Sequence, residues 1–349
     1  MSKFTVQTVI VDNIKPHAQA DSLSVAYIGG WSVVVAKDSI KNDDVCLYIP
    51  MSAKVPVSFS DKYGFTKYLN NGVVRGIRLH GVPSYGILLK DKESFGDVPN
   101  VHFTASLGIT KYISANKFVV DDIDQINPDF REYADIQNIR NCGINKQADA
   151  FKEGEIVICT EKIDGTHSRI GLLCDINDVL TLSAGSYDKQ KKIPYLKNGT
   201  VDFGACSESP YLYPLTIPGI VDMLRSMKPI ERVVLYGEVY GEKVKGSNAI
   251  YDAPPNKLAY RALDMTVDDG YLDYDYFEKV CKQYGIPTAP VIFRGEYTKN
   301  TLNILNSSKS VLCNPILEGV VMRPVKERYD TKSCTRCIFS YQTDNYLLQ

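Results

Sequence analysis

At 349 residues, 44% of them apolar and 23% charged, the chain is long enough for two domains with sizeable cores, which excludes a disordered or fibrous protein. Forty basic residues against 41 acidic ones leave a formal net charge of −1, so a nucleic-acid partner would have to be met by a local basic surface. No run approaches the roughly 20 apolar residues of a membrane span, and Met1 to Ile10 lacks the pattern of a secretion signal, so an intracellular, cytoplasmic protein without membrane association is expected.

From Phe4 to about Leu89 the sequence alternates short β-rich runs with turn residues. Phe4 to Ile10, Trp31 to Ala36 and Val45 to Ile49 are predicted strands, with Gly29-Gly30 and Asn42-Asp43-Asp44 as turns, a pattern of a small β-barrel or sandwich. A further pair of strand-like runs, Val73 to Leu79 and Gly86 to Leu89, brackets Gly81 to Tyr85. Arg75, Arg78 and His80 fall at near-alternating positions of one run, which would line up cations along a phosphate backbone or else form a solvated strand face. Trp31 and Tyr85 would stack on bases, or, for Trp31 in its apolar run, join the core.

Between about Asn100 and Asp149 the texture turns mixed and polar, including Asp121-Asp122-Ile123-Asp124 and Asn138 to Asn141, and reads as a connector with some ordered structure. Strand-like runs return at Glu155 to Thr160, Val179 to Leu182 and Val233 to Tyr236, with helical patterns over Ile220 to Met227 and Tyr276 to Gln283, so the C-terminal half is predicted α+β. Nine irregularly spaced cysteines suggest reduced thiols. Cys334 and Cys337 are the one close pair, and His17, His80, His102 and His167 are too scattered to complete a zinc site with them.

The run Ile156 to Thr166 reads as a strand that delivers Lys162, then Asp164, then the glycine turn at Gly165. A lysine so placed attacks phosphorus only when neutral, and burial with nearby cationic charge lowers its pKa. Gly165 would let a nucleotide approach the backbone. Taken alone, Lys-x-Asp-Gly is expected by chance in roughly one protein in ten of this length and is equally a surface turn. Two later segments bear on it: Tyr236-Gly237-Glu238 ends a strand-like run, and Glu318-Gly319-Val320-Val321 begins one. Each glutamate read singly is as well a solvent-facing strand end. Together, Asp164, Glu238 and Glu318 offer the oxygen ligands that hold magnesium or manganese, through its waters, beside a triphosphate.

In this order and spacing the three segments resemble the covalent nucleotidyltransferase superfamily of ligases and messenger-RNA capping enzymes, with Lys162-Ile163-Asp164-Gly165 in the place of its nucleophile motif. Ile14 to Leu23, Val74 to Gly86 and Leu107 to Tyr112 resemble the OB-type domain of one group within it, the ATP-dependent RNA ligases typified by those of Naegleria gruberi and Deinococcus radiodurans. The resemblance implies an α+β protein. An N-terminal OB-like β-barrel domain would occupy 1–115, a connector 116–150, and a nucleotidyltransferase domain on antiparallel sheets 151–349.

The same resemblance implies that RNA 3′-hydroxyl and 5′-phosphate ends are joined through lysyl-AMP and RNA-adenylate, with ATP and Mg2+ or Mn2+ as cofactors and no obligate protein partner. Lys162 would be the nucleophile, and Asp164, Glu238 and Glu318 would be catalytic and orient the metal's waters. The backbone at Glu161 and Ile163 would read adenine, Leu263 would lie beneath it, and Gly165 would allow close approach. Arg169 would bind ribose or phosphate, Arg140 the departing phosphates, and Arg336 the nucleotide phosphate.

Three features depart from the group. The serine-arginine pair expected after the nucleophile is absent from Leu182 to Tyr187, leaving Arg169, Lys189 or Lys191 to serve. Leu263 stands where an aromatic residue precedes the aspartate at 264, and Arg336 and Lys332 are the nearest cations where lysines precede the last strand. Arginine differs from lysine in geometry and hydration. The alternatives are therefore a catalytically impaired nucleic-acid-binding relative, or a capping-type guanylyltransferase.

Overall fold

The computed structural model describes residues 4–112, 127, 129–142, 144, 150–174, 179–229, 231–242, 244, 251–253, 257–268, 270–312, 316–330 and 335–348. The acidic run 121–124, Lys332 and Cys334 lie outside the described residues. Contacts divide the chain into two compact units, Met1–Ala115 with Ile136–Lys152 and Phe339–Gln349, and Asn116–Asp135 with Glu153–Ile338. This division differs from the three segments drawn on the sequence, because 136–152 and 339–349 group with the first unit. The fold is α+β, mostly antiparallel sheet, and among the described residues no helix is long and apolar enough to cross a membrane.

In the first unit, Leu23–Ile28 and Trp31–Ala36 form a hairpin with Ile28 opposite Trp31, closed by Gly29-Gly30. Gly29 has φ 54°, and a Cβ there would stand 2.8 Å from the Arg140 carbonyl oxygen, so both turn and packing require glycine. Gln7–Ile10 and Ile87–Leu89 flank Val45–Ile49, and Val9, Ala26, Trp31, Tyr48 and Tyr85 share one core. Trp31 and Tyr85 are thus core residues rather than stacking platforms, 6% and 1% exposed, and Trp31 Nε1–H donates to Asn141 Oδ1 at 2.9 Å.

The run carrying Arg75, Arg78 and His80 is two strands, Val73–Val74 and Gly76–Leu79, with Arg75 between them. His80 (φ 46°) and Gly81 (φ 82°) make the turn into Val82–Tyr85, the double positive φ of a tight hairpin. All three side chains are exposed.

Arg140, on the 3-10 turn Ile139–Asn141, is buried in the same unit. Its guanidinium lies 5.0, 5.1 and 4.8 Å from the ring centroids of Trp31, Tyr85 and Tyr341. It donates to Asp344 Oδ1 at 2.7 Å and to the Tyr341 hydroxyl at 3.1 Å. Phe339–Gln342 carries Tyr341 and pairs in parallel with Gln137–Asn138, so one guanidinium ties the chain terminus and 136–152 to the aromatic core.

The second unit holds a six-stranded antiparallel sheet in the order Gln190–Lys191, Leu180–Gly185, Thr166–Cys174, Arg232–Tyr240, Ala259–Val267, Gly270–Tyr271. Another antiparallel set places Ile156–Glu161 between Gly319–Pro324 and Val291–Glu296. Helices Ile220–Ser226 and Tyr274–Gln283 bury Ile220, Met223, Leu224, Phe277 and Cys281 in a core with Ile158, Ile170 and Leu235. The two strands that carry Lys162 and Glu238 are thereby paired on both sides.

Arg140→Ala is expected to cost about 3 kcal/mol, because removing one partner of a largely buried ion pair strands the other charge and empties the ring cage. Chemical denaturation of the two proteins measures it, and an unchanged midpoint would contradict the role assigned to this guanidinium.

Candidate active site

Strand pairing fixes the lysine. Glu161 lies opposite Val320 in the register of Ile156–Glu161 with Gly319–Pro324, and the next residue, Lys162, donates its N–H to Gly319 O at 2.9 Å. That register sets Glu318 beside Lys162, and Lys162 Nζ makes a close ion pair with Glu318 Oε1. The lysine side chain is 33% exposed and the glutamate 6%, so the amine stands at an opening over a buried carboxylate. The contact holds the amine in one orientation against that carboxylate.

Glu238 arrives from the other sheet. His167 is opposite Glu238 where Thr166–Cys174 pairs with Arg232–Tyr240, and the two side chains approach to 3.7 Å between Nδ1 and Oε2. Between them and the lysine lies Gly165, where a Cβ would stand 2.3 Å from Val239 O and 3.0 Å from Glu238 Cγ. Glycine is required there by the neighbouring strand, in addition to any need of a ligand. The backbone N–H of Asp164 donates to the Tyr251 hydroxyl at 2.6 Å. Among the described residues no three His, Cys, Asp or Glu side chains cluster closely enough to ligate one metal directly.

Glu161 is buried, and its carboxylate accepts from the Ser310 hydroxyl and from Val311 N–H at 2.9 Å. The side chain therefore anchors the segment that leads to Leu312, and the Glu161 N–H donates to Pro290 O at 2.8 Å. Leu312 packs with Ile163, Tyr240, Tyr251 and Ala289, and Leu263 packs against the same cluster. The two residues expected around adenine, Ile163 and Leu263, thus share one apolar cluster beside the lysine.

The three arginines expected at phosphates are engaged within the protein. Arg140 sits in the first unit, as described. Arg169 is 1% exposed, donates through Nε to Ser186 O at 2.8 Å and through its guanidinium to Phe130 O, and lies 4.2 Å from the Phe130 ring centroid. Arg336 pairs with Asp264 at 2.7 Å and donates to both oxygens of Glu327 at 2.8 and 2.7 Å, with its guanidinium 3.6 Å from the Tyr271 ring centroid.

Asp264 is fully buried and also receives Arg323 at 2.7 Å and the Tyr133 hydroxyl at 3.0 Å. Tyr133 in turn stacks on His167, with ring centroids 5.5 Å apart and planes at 17°, and Tyr236 lies on His167 at 6.2 Å. Sequence reasoning missed His167, Tyr133, Tyr251 and Ser310. Only His167 left a trace, as a polar residue two positions after the glycine turn on a strand; the other three come from segments whose pairing no local pattern announces.

A family model described as RNA ligase matches residues 155–339, and an OB-fold domain model matches residues 4–90. No curated protein matches the chain by sequence. Among solved structures, Naegleria gruberi RNA ligase with pyrophosphate superposes with a TM-score of 0.73 at 17% identity, covering 99% of this chain and 98% of that one. A variant of that ligase with ATP and Mn gives 0.74 at 16% identity, and another with AMP and Mn gives 0.73 at 17%, each with the same coverage. At these identities the likeness carries the fold.

Burial works against the Asp264 carboxylate, but Arg323 and Arg336 outweigh it and hold its pKa below the ordinary aspartate value. Unfolding returns the group to about 3.9. The cluster therefore contributes its full stability above that value and loses it as pH falls toward the lower folded-state pKa. Thermal unfolding followed from neutral pH to about pH 2 should show this loss. Asp264→Asn should melt lower at neutral pH and decline less steeply with acid; parallel profiles would contradict the assignment.

Proposed function

The chain belongs to the RNA ligase family, and from that membership we propose that it joins 3′-hydroxyl and 5′-phosphate ends of RNA with ATP, through AMP carried on Lys162. The observation that carries the reading is the contact of Lys162 Nζ with Glu318 at the head of the paired strand. In the first transfer Nζ attacks the α-phosphorus of ATP, a P–N bond forms and pyrophosphate leaves. The AMP then passes to the RNA 5′-phosphate, freeing the lysine, and the 3′-hydroxyl attacks that activated phosphate to release AMP. Each transfer is in-line, so positioning and charge neutralisation supply most of the acceleration.

Glu318 orients Nζ and is the acceptor already hydrogen-bonded to it when its proton must leave. Glu161 acts on the lysine from behind, by fixing the Ser310–Leu312 segment against Ile163. Ile163 and Leu263, which share one apolar cluster, offer adenine an aliphatic surface, and we assign the reading of its edge to the backbone around Glu161 and Ile163. Arg140, Arg169 and Arg336 serve through the elements they hold rather than through phosphate.

The donor set fits a hard divalent cation held through water. Asp164, Glu238 and Glu318 are all oxygen donors, and the absence of a direct three-ligand cluster among the described residues suits Mg2+ or Mn2+ that keeps its own waters. Such an ion supplies neutralisation of the triphosphate charge. The solved ligase structures with ATP and Mn, and with AMP and Mn, are consistent with this donor chemistry.

Incubation with radiolabelled ATP and Mg2+ or Mn2+ should label the protein covalently, and Lys162→Ala should take no label. Glu318→Gln should slow labelling on the order of a hundredfold, the usual effect of removing one placed electrostatic group. Labelling of Lys162→Ala would sink the nucleophile assignment. Labelling by GTP and not ATP would transfer the chain to the capping enzymes, and RNA binding without any label would make it a non-catalytic relative.

A further inference from the structure

In the first unit a four-stranded sheet runs in the order Thr110–Lys111, Ala53–Lys54, Val73–Val74, Leu69–Asn70. One end of it gathers two tyrosines around an arginine. Ser52 N–H donates to Val74 O at 2.9 Å and Tyr112 N–H to Ser52 O at 2.7 Å, which carries Tyr112 to Arg75, whose guanidinium lies 5.0 Å from the Tyr112 ring centroid. On the other side, Leu69 is opposite Val74, so Tyr68, which closes the 3-10 turn Thr66–Tyr68, and Arg75 lie next to the same end of that pairing. Lys67 Nζ stands 5.1 Å from the Tyr68 ring centroid. Both rings are unusually open for tyrosines in a folded sheet, Tyr112 at 39% and Tyr68 at 41% exposure.

Although the whole chain is balanced, residues 45–60, 62–90 and 98–112 contain no aspartate or glutamate; Asp61, in the connection that leads to Leu69–Asn70, accepts a hydrogen bond from Thr66. Lys54 and Lys111 are exposed on adjacent strands of the sheet, with Thr110 opposite Lys54. Open rings that carry a cation on one side, with Lys54 and Lys111 exposed on the same sheet, match the chemistry of unpaired nucleotides. Bases stack on the rings and phosphates meet the cations.

We propose that the Tyr112–Arg75–Tyr68 row, with Lys54, Lys67 and Lys111, is a binding surface for an unpaired RNA strand. Bases stack on the two tyrosines, and the backbone phosphates run along the lysines. The choice of RNA as occupant rests on the ligase reading, since a ligase must hold the strand beyond its reacting end. The stacking surface itself rests on the geometry of the first unit alone.

Fluorescence anisotropy of a labelled, unpaired, 5′-phosphorylated oligoribonucleotide with the full chain tests it. Tyr68→Ala with Tyr112→Ala should weaken binding about tenfold or more, the effect of losing stacked bases, with little change in salt dependence. Tyr68→Phe with Tyr112→Phe should bind as the parent does. Lys54→Ala with Lys111→Ala should weaken binding and flatten its salt dependence. ATP labelling should stay unchanged in every variant, which separates this surface from the nucleotide site. If the parent takes no label while RNA affinity still follows the two tyrosines, the ligase reading fails and this one stands. Parental RNA affinity in the double alanine variant overturns the proposal.

Discussion

The ion pair between Lys162 and Glu318 is the interaction on which the second unit's site depends. It is made by backbone, because Lys162 is held to Gly319 by its own N–H, so the amine and the carboxylate meet wherever those two strands pair. The same logic brings Glu238 from a strand of the other sheet to His167, with Gly165 left bare because the neighbouring strand passes within contact distance. Glu318 thereby reaches Lys162 from a distant stretch of sequence, and among the described residues no three acids form a ready-made metal cage.

Around that centre, arginine serves as cement. Arg169 is spent on backbone carbonyls and the Phe130 ring, and Arg336 on Asp264, Glu327 and Tyr271. Asp264 at 0% exposure shares two guanidinium groups and a tyrosine hydroxyl, a buried charge whose cost is met only while every partner is in place. Through Tyr133 the cluster reaches His167 and hence Glu238, so the buried charges are linked by packing to that acid. In the first unit Arg140 performs the same task for the aromatic core and the chain terminus.

Much of this was legible in the sequence where the signal is local. The strand before Lys162, the glycine turn, the acid before Gly319 and the β-rich N-terminal run are patterns of neighbours, and Ile156–Glu161 and Gly319–Pro324 appear where such patterns place them, whereas Arg232–Tyr240 runs on past Glu238, which the sequence put at its end. The arginines were harder. A cation near a nucleotide motif invites a phosphate, and nothing local in the residues around 140, 169 or 336 announces that Asp344, Ser186 or Asp264 will claim it. The run through Arg75 and His80 likewise read as one strand because its apolar alternation is continuous, whereas the double positive φ at His80 and Gly81 is a property of the turn. Long-range pairing, including the return of 339–349 to the first unit, has no signature in either partner alone.

The most direct test of the account is to locate the nucleotide on the protein. After incubation with ATP and Mg2+, proteolysis and peptide mass mapping should find one AMP adduct, on the peptide that contains Lys162 and joined to that residue through its Nζ. An adduct on any other lysine, or none on a protein that nonetheless seals RNA, would contradict the claim that the Lys162–Glu318 pair is the reacting centre.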